Sequence, residues 1–207
     1  DTFTPVTAVA SGATDVSTGG EHTCAVVSGA AKCWGHGADG EIGNSANNYQ
    51  FTPVTATGLG SGISQISAGQ SHTCAITTTG AIKCWGYNGD GQLGNADSGD
   101  GHTSNVPVNV VSATSGATIL SAGVYATCAV IGGVTKCWGS NRIGSALSDG
   151  TTVWSNSLVT PTLVGMPAFM DITGPASSTA GVCSTQFRID LTASNHGSVN
   201  APFGGTV

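Results

Sequence analysis

The chain has 207 residues, a net charge of -6 and only five Lys plus Arg, with 8% charged residues in all. Nucleic-acid binding needs a basic footprint to neutralise phosphates, so that class is excluded. No apolar run approaches the roughly twenty residues of a membrane-spanning helix. With 32 glycines and no long window of 3.6-residue apolar period, the expectation is essentially all-β structure.

Taken in order, Phe3-Thr4-Pro5-Val6-Thr7 reads as a short strand, with the proline at an edge or at the strand start. It recurs 48 residues on as Phe51-Thr52-Pro53-Val54-Thr55, with weaker echoes at 105–109 and 159–163. A second short strand follows around Asp15 to Ser17, matched by Ile63 to Ser67, Thr118 to Ser121 and Phe169 to Ile172. Then comes a hairpin flanked by cysteines. If Ser28-Gly29 is a two-residue loop, Val27 faces Ala30 and the count outward sets Cys24 opposite Cys33. Gly132-Gly133 sets Cys128 opposite Cys137 in the same way, and Cys74 meets Cys84 across a three-residue loop of Thr78, Thr79 and Gly80.

In the two-residue hairpins the cysteines fall at non-hydrogen-bonded positions, where Cα atoms lie about 4.5 Å apart, within the range that disulfides span. Three cross-strand disulfides are therefore expected, Cys24 to Cys33, Cys74 to Cys84 and Cys128 to Cys137. The competing reading is zinc. His22 and His72 stand two residues before a cysteine, but the third copy has Ala126 there and the C-x-x-C spacing of a zinc site is missing, so no metal is assigned. The two histidines are expected to satisfy hydrogen bonds within their own unit.

Each second cysteine is followed by Trp-Gly, at Trp34-Gly35, Trp85-Gly86 and Trp138-Gly139, and in the first two copies then by a G-x-x-G turn, Gly40 to Gly43 and Gly91 to Gly94. A tryptophan at a fixed place in every unit suits packing within or between units, with a ligand platform as the other reading. Repeats of about 1–48, 49–102, 103–156 and 157–207 result. Four strands per unit follow from the proline strand, the second strand and the hairpin, which is the size of a propeller blade. Cys183 lies 55 residues after Cys128 and has no partner cysteine downstream. It is read as unpaired, whether as a buried thiol, an intermolecular bridge or the mark of a truncated unit. Phe187 to Leu191 alternates as a further strand.

The motifs A-G-x-x-H-T-C-A, C-W-G and G-x-x-G-Q-L-G-N, as they stand in the second copy, resemble the repeats of the regulator of chromosome condensation family. The likeness covers two repeats well, the third moderately and the fourth weakly. It implies β-propeller blades, and about four units here would make a propeller-like array that is incomplete, closes as a small ring or is completed by oligomerisation. It does not imply nucleotide exchange, because secreted relatives act as binding modules.

Paired cysteines imply an oxidising compartment, extracellular or at the cell surface. Beginning at Asp1, the chain is read as a processed portion of a secreted protein. The connections 45–50, 96–104 and 148–157 vary most between repeats and are expected on one rim, each with a ring-bearing residue, Tyr49, His102 and Trp154. Asn48, Asp97, Asp100 and Asn156 complete the candidate ligand set, with solvated loop residues as the bland alternative. The segment 97–101 has a calcium-loop look without the ligand spacing of an EF-hand. No nucleophile-and-base or metalloprotease motif is present, so no catalytic residue and no cofactor is assigned. The functional expectation is a secreted or cell-surface adhesin-type module for a glycan or protein, with no enzymatic activity. The alternative is a propeller that inhibits a secreted enzyme.

Overall fold

Strand length and pairing follow from the alternation and turns just described. In the computed structural model the described residues are 7–99, 101–141, 147 and 153–161. The chain divides into two units, Asp1–Pro167 and Ala168–Val207, and every described residue lies in the first. The described residues form three four-stranded antiparallel sheets, each a blade. Blade 1 comprises β1 (Ala13–Thr18), β2 (His22–Val27), β3 (Ala30–Gly35) and β4 (Gln50–Thr55). Blade 2 comprises β5 (Ile63–Ala68), β6 (His72–Thr77), β7 (Ile82–Tyr87) and β8 (Thr103–Asn109). Blade 3 comprises β9 (Ala117–Ala122), β10 (Ala126–Ile131), β11 (Val134–Gly139) and β12 (Ser155–Val159).

The hairpin registers are those read from the sequence, with Cys24 opposite Cys33, Cys74 opposite Cys84 and Cys128 opposite Cys137. Both residues of each two-residue loop have positive φ, Ser28 at 50° and Gly29 at 78°, and Gly132 at 59° and Gly133 at 79°. That is the type I′ turn whose twist matches the strands. In blade 2 the Thr77 N–H donates to the Ala81 carbonyl, closing the three-residue loop. All three disulfides form, at Cα separations of 4.1, 4.0 and 4.1 Å. Replacing Cys74 and Cys84 together by alanine is expected to lower stability by about 2 to 3 kcal/mol, mostly by freeing the unfolded chain. Urea unfolding against the oxidised parent checks this, and an unchanged midpoint would contradict it.

One expectation is corrected. The proline strand does not precede the blade of its own repeat: β4 pairs with β3, and β8 with β7, so each outer strand follows the hairpin it closes. Blades are thus offset from the sequence repeats. Phe3 to Val6, Phe169 to Ile172, Cys183 and the 187–191 strand lie outside the described residues.

The core lies between blades. One cluster joins Val26, Ile42, Ala56 and Leu59 of the first blade and its connections to Ile63, Ile66, Ala75 and Trp85 of the second. The next repeats it with Ile76, Leu93, Val110 and Ala113 against Leu120, Ala129 and Trp138. Trp85 and Trp138 are therefore inter-blade packing residues. Trp85 and Trp138 are fully buried, and each lies on the last glycine of the preceding G-x-x-G turn. A Cβ on Gly43 would stand 2.8 Å from the Trp85 ring, and one on Gly94 2.8 Å from Trp138.

A second correction concerns the histidines, which bridge blades. The Trp85 indole N–H donates to the Glu41 carbonyl at 2.7 Å, and the Thr73 hydroxyl donates to the same oxygen at 3.0 Å. Its single proton thus committed, Thr73 accepts from His22 Nε2–H at 2.8 Å, which fixes the histidine tautomer. The next joint has the same parts: Trp138 and Thr127 donate to the Gln92 carbonyl, and His72 lies 2.9 Å from Thr127. The first strands are also tied, because Asp15 Oδ2 accepts from the Ile66 N–H and Ser17 Oγ from the Ala68 N–H.

Candidate functional site

Antiparallel order places the β1–β2 turns, the ends of β3, β7 and β11 and the starts of β4, β8 and β12 at one end of the blades. The long connections emerge there, whereas the tight hairpin turns lie at the other end. Nearest the first strands sit Gly20, Gln70 and Val124. Further out come Glu21, Ser71 and Tyr125, each immediately before the β2-type strand, and His36, Tyr87 and Ser140, each one residue after Trp-Gly.

Two neighbouring cavities open here. One, of about 430 Å³, is lined by Asp39, Gln70, Ser71, Tyr87, Asp90, Tyr125 and Ser140. The other, of about 340 Å³, is lined by Gly20, Glu21, His36, Glu41, Gln70 and Ser71. In the second, the buried Glu41 carboxylate lies 2.8 Å from His36 Nδ1 and accepts from the Asp39 N–H at 2.9 Å. That hydrogen bond to Glu41, helped by the charges of Glu41, Glu21 and Asp39, raises the His36 pKa above its ordinary value against the opposing effect of burial. Asp90 and Gln92 repeat the turn geometry, the Asp90 N–H donating to Gln92 Oε1. Tyr rings, carboxylates, an amide and hydroxyls thus face shared space, a set that stacks on apolar ligand faces and hydrogen-bonds polar edges.

The residues singled out from the sequence sit at the outer border of this same end. Tyr49, His102 and Trp154 directly precede β4, β8 and β12, one on each blade. Tyr49 is 58% exposed, packs edge-on against His36 at 5.0 Å and stacks with Phe51 at 6.5 Å. Trp154 is 37% exposed. Asp97 Oδ1 lies 3.0 Å from His102 Nδ1, and Asn48 Oδ1 accepts from Gln50 at 2.8 Å. Asn156 serves a joint: its side chain donates to Ser98 Oγ and its carbonyl accepts from the Ala96 N–H. Asp100 lies outside the described residues. Among the described residues no group of three or more His, Cys, Asp or Glu is gathered as a metal would require.

Sequence reasoning passed over Gln70, Ser71, Tyr87, Asp90, Tyr125 and Ser140. For the position after Trp-Gly the signal is present, because His36, Tyr87 and Ser140 differ between repeats directly behind a constant Trp-Gly.

Two family models described as Regulator of chromosome condensation (RCC1) repeat match the chain, over residues 29–76 and 63–92. Residues 29–92 are thus similar to regulator of chromosome condensation repeats. Human WBSCR16 superposes on the repeats with a TM-score of 0.62 at 23% identity, over 76% of this chain and 40% of its own. Yeast RCC1 (Prp20), in its complex with Kap60, gives 0.61 at 15% identity over 72% and 37%. Prp20p of Saccharomyces cerevisiae gives 0.61 at 17% over 72% and 38%. The likeness to these structures is one of fold, and this chain spans less than half the length of each. A search of the curated proteins by sequence found no match. The three disulfides of these repeats fit an oxidising compartment. No helix among the described residues is long and apolar enough to cross a membrane.

Proposed function

We propose that this repeat array is a secreted or cell-surface binding module of adhesin type, whose loop-bearing end takes a glycan without turning it over. The observation that carries the reading is the cavity of about 430 Å³ between successive blades, where Tyr87 and Tyr125 meet Asp39, Asp90, Gln70 and Ser71. Sugar rings offer C–H faces to tyrosine and hydroxyls to carboxylates and amides, so this lining matches both halves of a saccharide. Tyr49 and Trp154 extend the aromatic surface outward to the rim. The rigidity that recognition needs comes from the disulfide-stapled hairpins below.

Binding to immobilised polysaccharides and to intact cells tests it. Tyr125→Ala is expected to weaken binding about tenfold, roughly 1.4 kcal/mol, and Asp39→Asn by a comparable factor, with melting temperature unchanged. Tyr49→Ala together with Trp154→Ala trims the rim contribution further. Unaltered binding in all of these variants would sink the assignment. Stoichiometric capture of a soluble protein, with no glycan bound, would favour the enzyme-inhibitor reading, and turnover of a polysaccharide would make the chain an enzyme.

A further inference from the structure

The turn after Trp-Gly does the same structural work in blades 1 and 2 with different chemistry. In blade 2 the Asp90 N–H donates to the Gln92 side-chain carbonyl, and in blade 1 the Asp39 N–H donates to Glu41 Oε2 at 2.9 Å. An amide oxygen suffices for that bond. The Glu41 side chain, 2% exposed, therefore brings to the smaller cavity a charge that the turn does not require. Its other oxygen, Oε1, lies 2.8 Å from His36 Nδ1. A carboxylate only accepts, so Nδ1 carries the proton and Nε2 of the neutral ring is left as an acceptor. Nε2 makes no hydrogen bond among the described residues. Glu21 lines the same cavity and Asp39 the adjoining one, both near enough for their charges to act on the His36 ring. Gln70 and Ser71 line both cavities, which therefore meet along them.

The charges of the blades are sorted by end. Asp15 apart, the described acids stand at the loop-bearing end, whereas the described lysines, Lys32, Lys83 and Lys136, lie in the hairpin halves of β3, β7 and β11. A cleft of one sign between low-dielectric walls draws in the opposite sign. We propose that the smaller cavity seats a primary ammonium group, so that the saccharide bound at this end is one with free amines, an amino-sugar polymer. The inference rests on the glycan reading and names its ligand class. An ammonium offers three donors and no acceptor. His36 Nε2 and the carboxylates of Glu21 and Asp39 supply the acceptors, and Glu41, bonded to Nδ1, reserves Nε2 for this role as a positioning residue. The neighbouring sugar ring then lies in the larger cavity on Tyr87 and Tyr125, whose faces suit both C–H bonds and nearby positive charge. An acidic sugar would set like charges together, and an N-acetylated one would meet these acceptors with a single N–H.

Titration calorimetry of the full chain at pH 7 tests it with two probes, the β-1,4-linked glucosamine hexamer and its fully N-acetylated counterpart. The free-amine hexamer is expected to bind about tenfold more tightly. Glu21→Gln and, separately, Glu41→Gln should each remove most of that preference with the melting temperature unchanged, since Glu41→Gln copies the blade 2 turn. Binding should also lower the pH at which His36 titrates, followed by its ring resonances, because an ammonium at Nε2 needs the neutral imidazole. The groups that act on that ring are Glu21, Asp39 and Glu41, with Tyr49 edge-on and His22 within reach of its charge, and blade 2 adds only the uncharged Gln70 and Ser71 to the cavity. Equal affinities for the two hexamers, or a preference that survives both substitutions, would overturn the ammonium seat and leave the glycan reading standing. If neither hexamer binds while another polysaccharide does, the seat is likewise rejected. If no polysaccharide binds, the glycan reading falls and the amino-sugar assignment with it, and tetralysine binding that is lost in Glu21→Gln would then make the occupant a basic peptide.

Discussion

Trp85→Ala is expected to cost about 3 to 5 kcal/mol, the range for deleting a large aromatic from a packed interior. Trp34→Ala, at the same repeat position, should cost well under half as much. The difference isolates the joint. Trp85 is fully buried in the cluster shared by two blades and donates to the Glu41 carbonyl, whereas Trp34 has no described blade before it. Gly43→Ala makes the complementary case. Its Cβ would stand 2.8 Å from the Trp85 ring, and the backbone there has φ of +74°. About 1 to 3 kcal/mol is expected from overpacking, with the positive φ adding strain. Combined with Trp85→Ala the clash disappears, so the double variant should lose less than the sum of the singles. Denaturant unfolding of the parent and the four variants decides it, and strict additivity or equal losses for Trp34→Ala and Trp85→Ala would reject the inter-blade role.

What the sequence discloses is what the chain resolves within about ten residues. The Cys24 to Cys33 register is legible because a two-residue turn fixes every pairing outward from it, and one-residue slips would part the cysteines. The same local logic accounts for the three-residue loop at Thr78 to Gly80. Membership of the outer strand is not legible in this way: a period near 50 can be cut at any phase, and only the pairing of Gly35 with Gln50 shows that β4 closes the blade of the preceding hairpin. Nor is the partner of His22, which lies 51 residues away on the next blade. His-Thr-Cys looks like a local triplet, but its histidine reaches forward to the next blade while its threonine is grasped from behind. The candidate site divides likewise. Tyr49 and Trp154 stand out as rings in polar loops, while Tyr87 ends strand β7 and Tyr125 lies in the short β9–β10 turn, and the two meet only because two blades stack. Their cavity comes from that stacking and is invisible in either repeat alone.

The histidine pairs that cross the joints also forecast how stability should depend on pH. Burial, and then the charge of His36, hold the His22 pKa down at about 4. Burial, and then His22, hold His72 down at about 3. In the unfolded chain both titrate near 6.5, so between pH 6.5 and these folded values the unfolded state binds up to two more protons. Stability is therefore fully present above pH 6.5 and falls as pH drops, by about 1.4 kcal/mol per unit for each imidazole. His36, whose folded pKa is raised, acts with the opposite sign: its contribution is complete below 6.5 and is lost as pH rises through the raised value, so it does not mask the acid limb. The physical event on that limb is specific. Thr73 and Thr127 already donate to the Glu41 and Gln92 carbonyls, so each imidazole keeps its Nε2–H bond but must carry charge in an apolar joint, with His22 Nδ1 lacking any partner for the added proton. Urea unfolding at pH 7, 5.5 and 4.5 should show the parent weakening steeply. His22→Gln combined with His72→Gln keeps an N–H donor without the basic nitrogen, and should start less stable at pH 7 yet flatten the limb. All other groups are the same in both chains, so an acid slope unchanged by the double substitution would show that the joints yield to acid elsewhere.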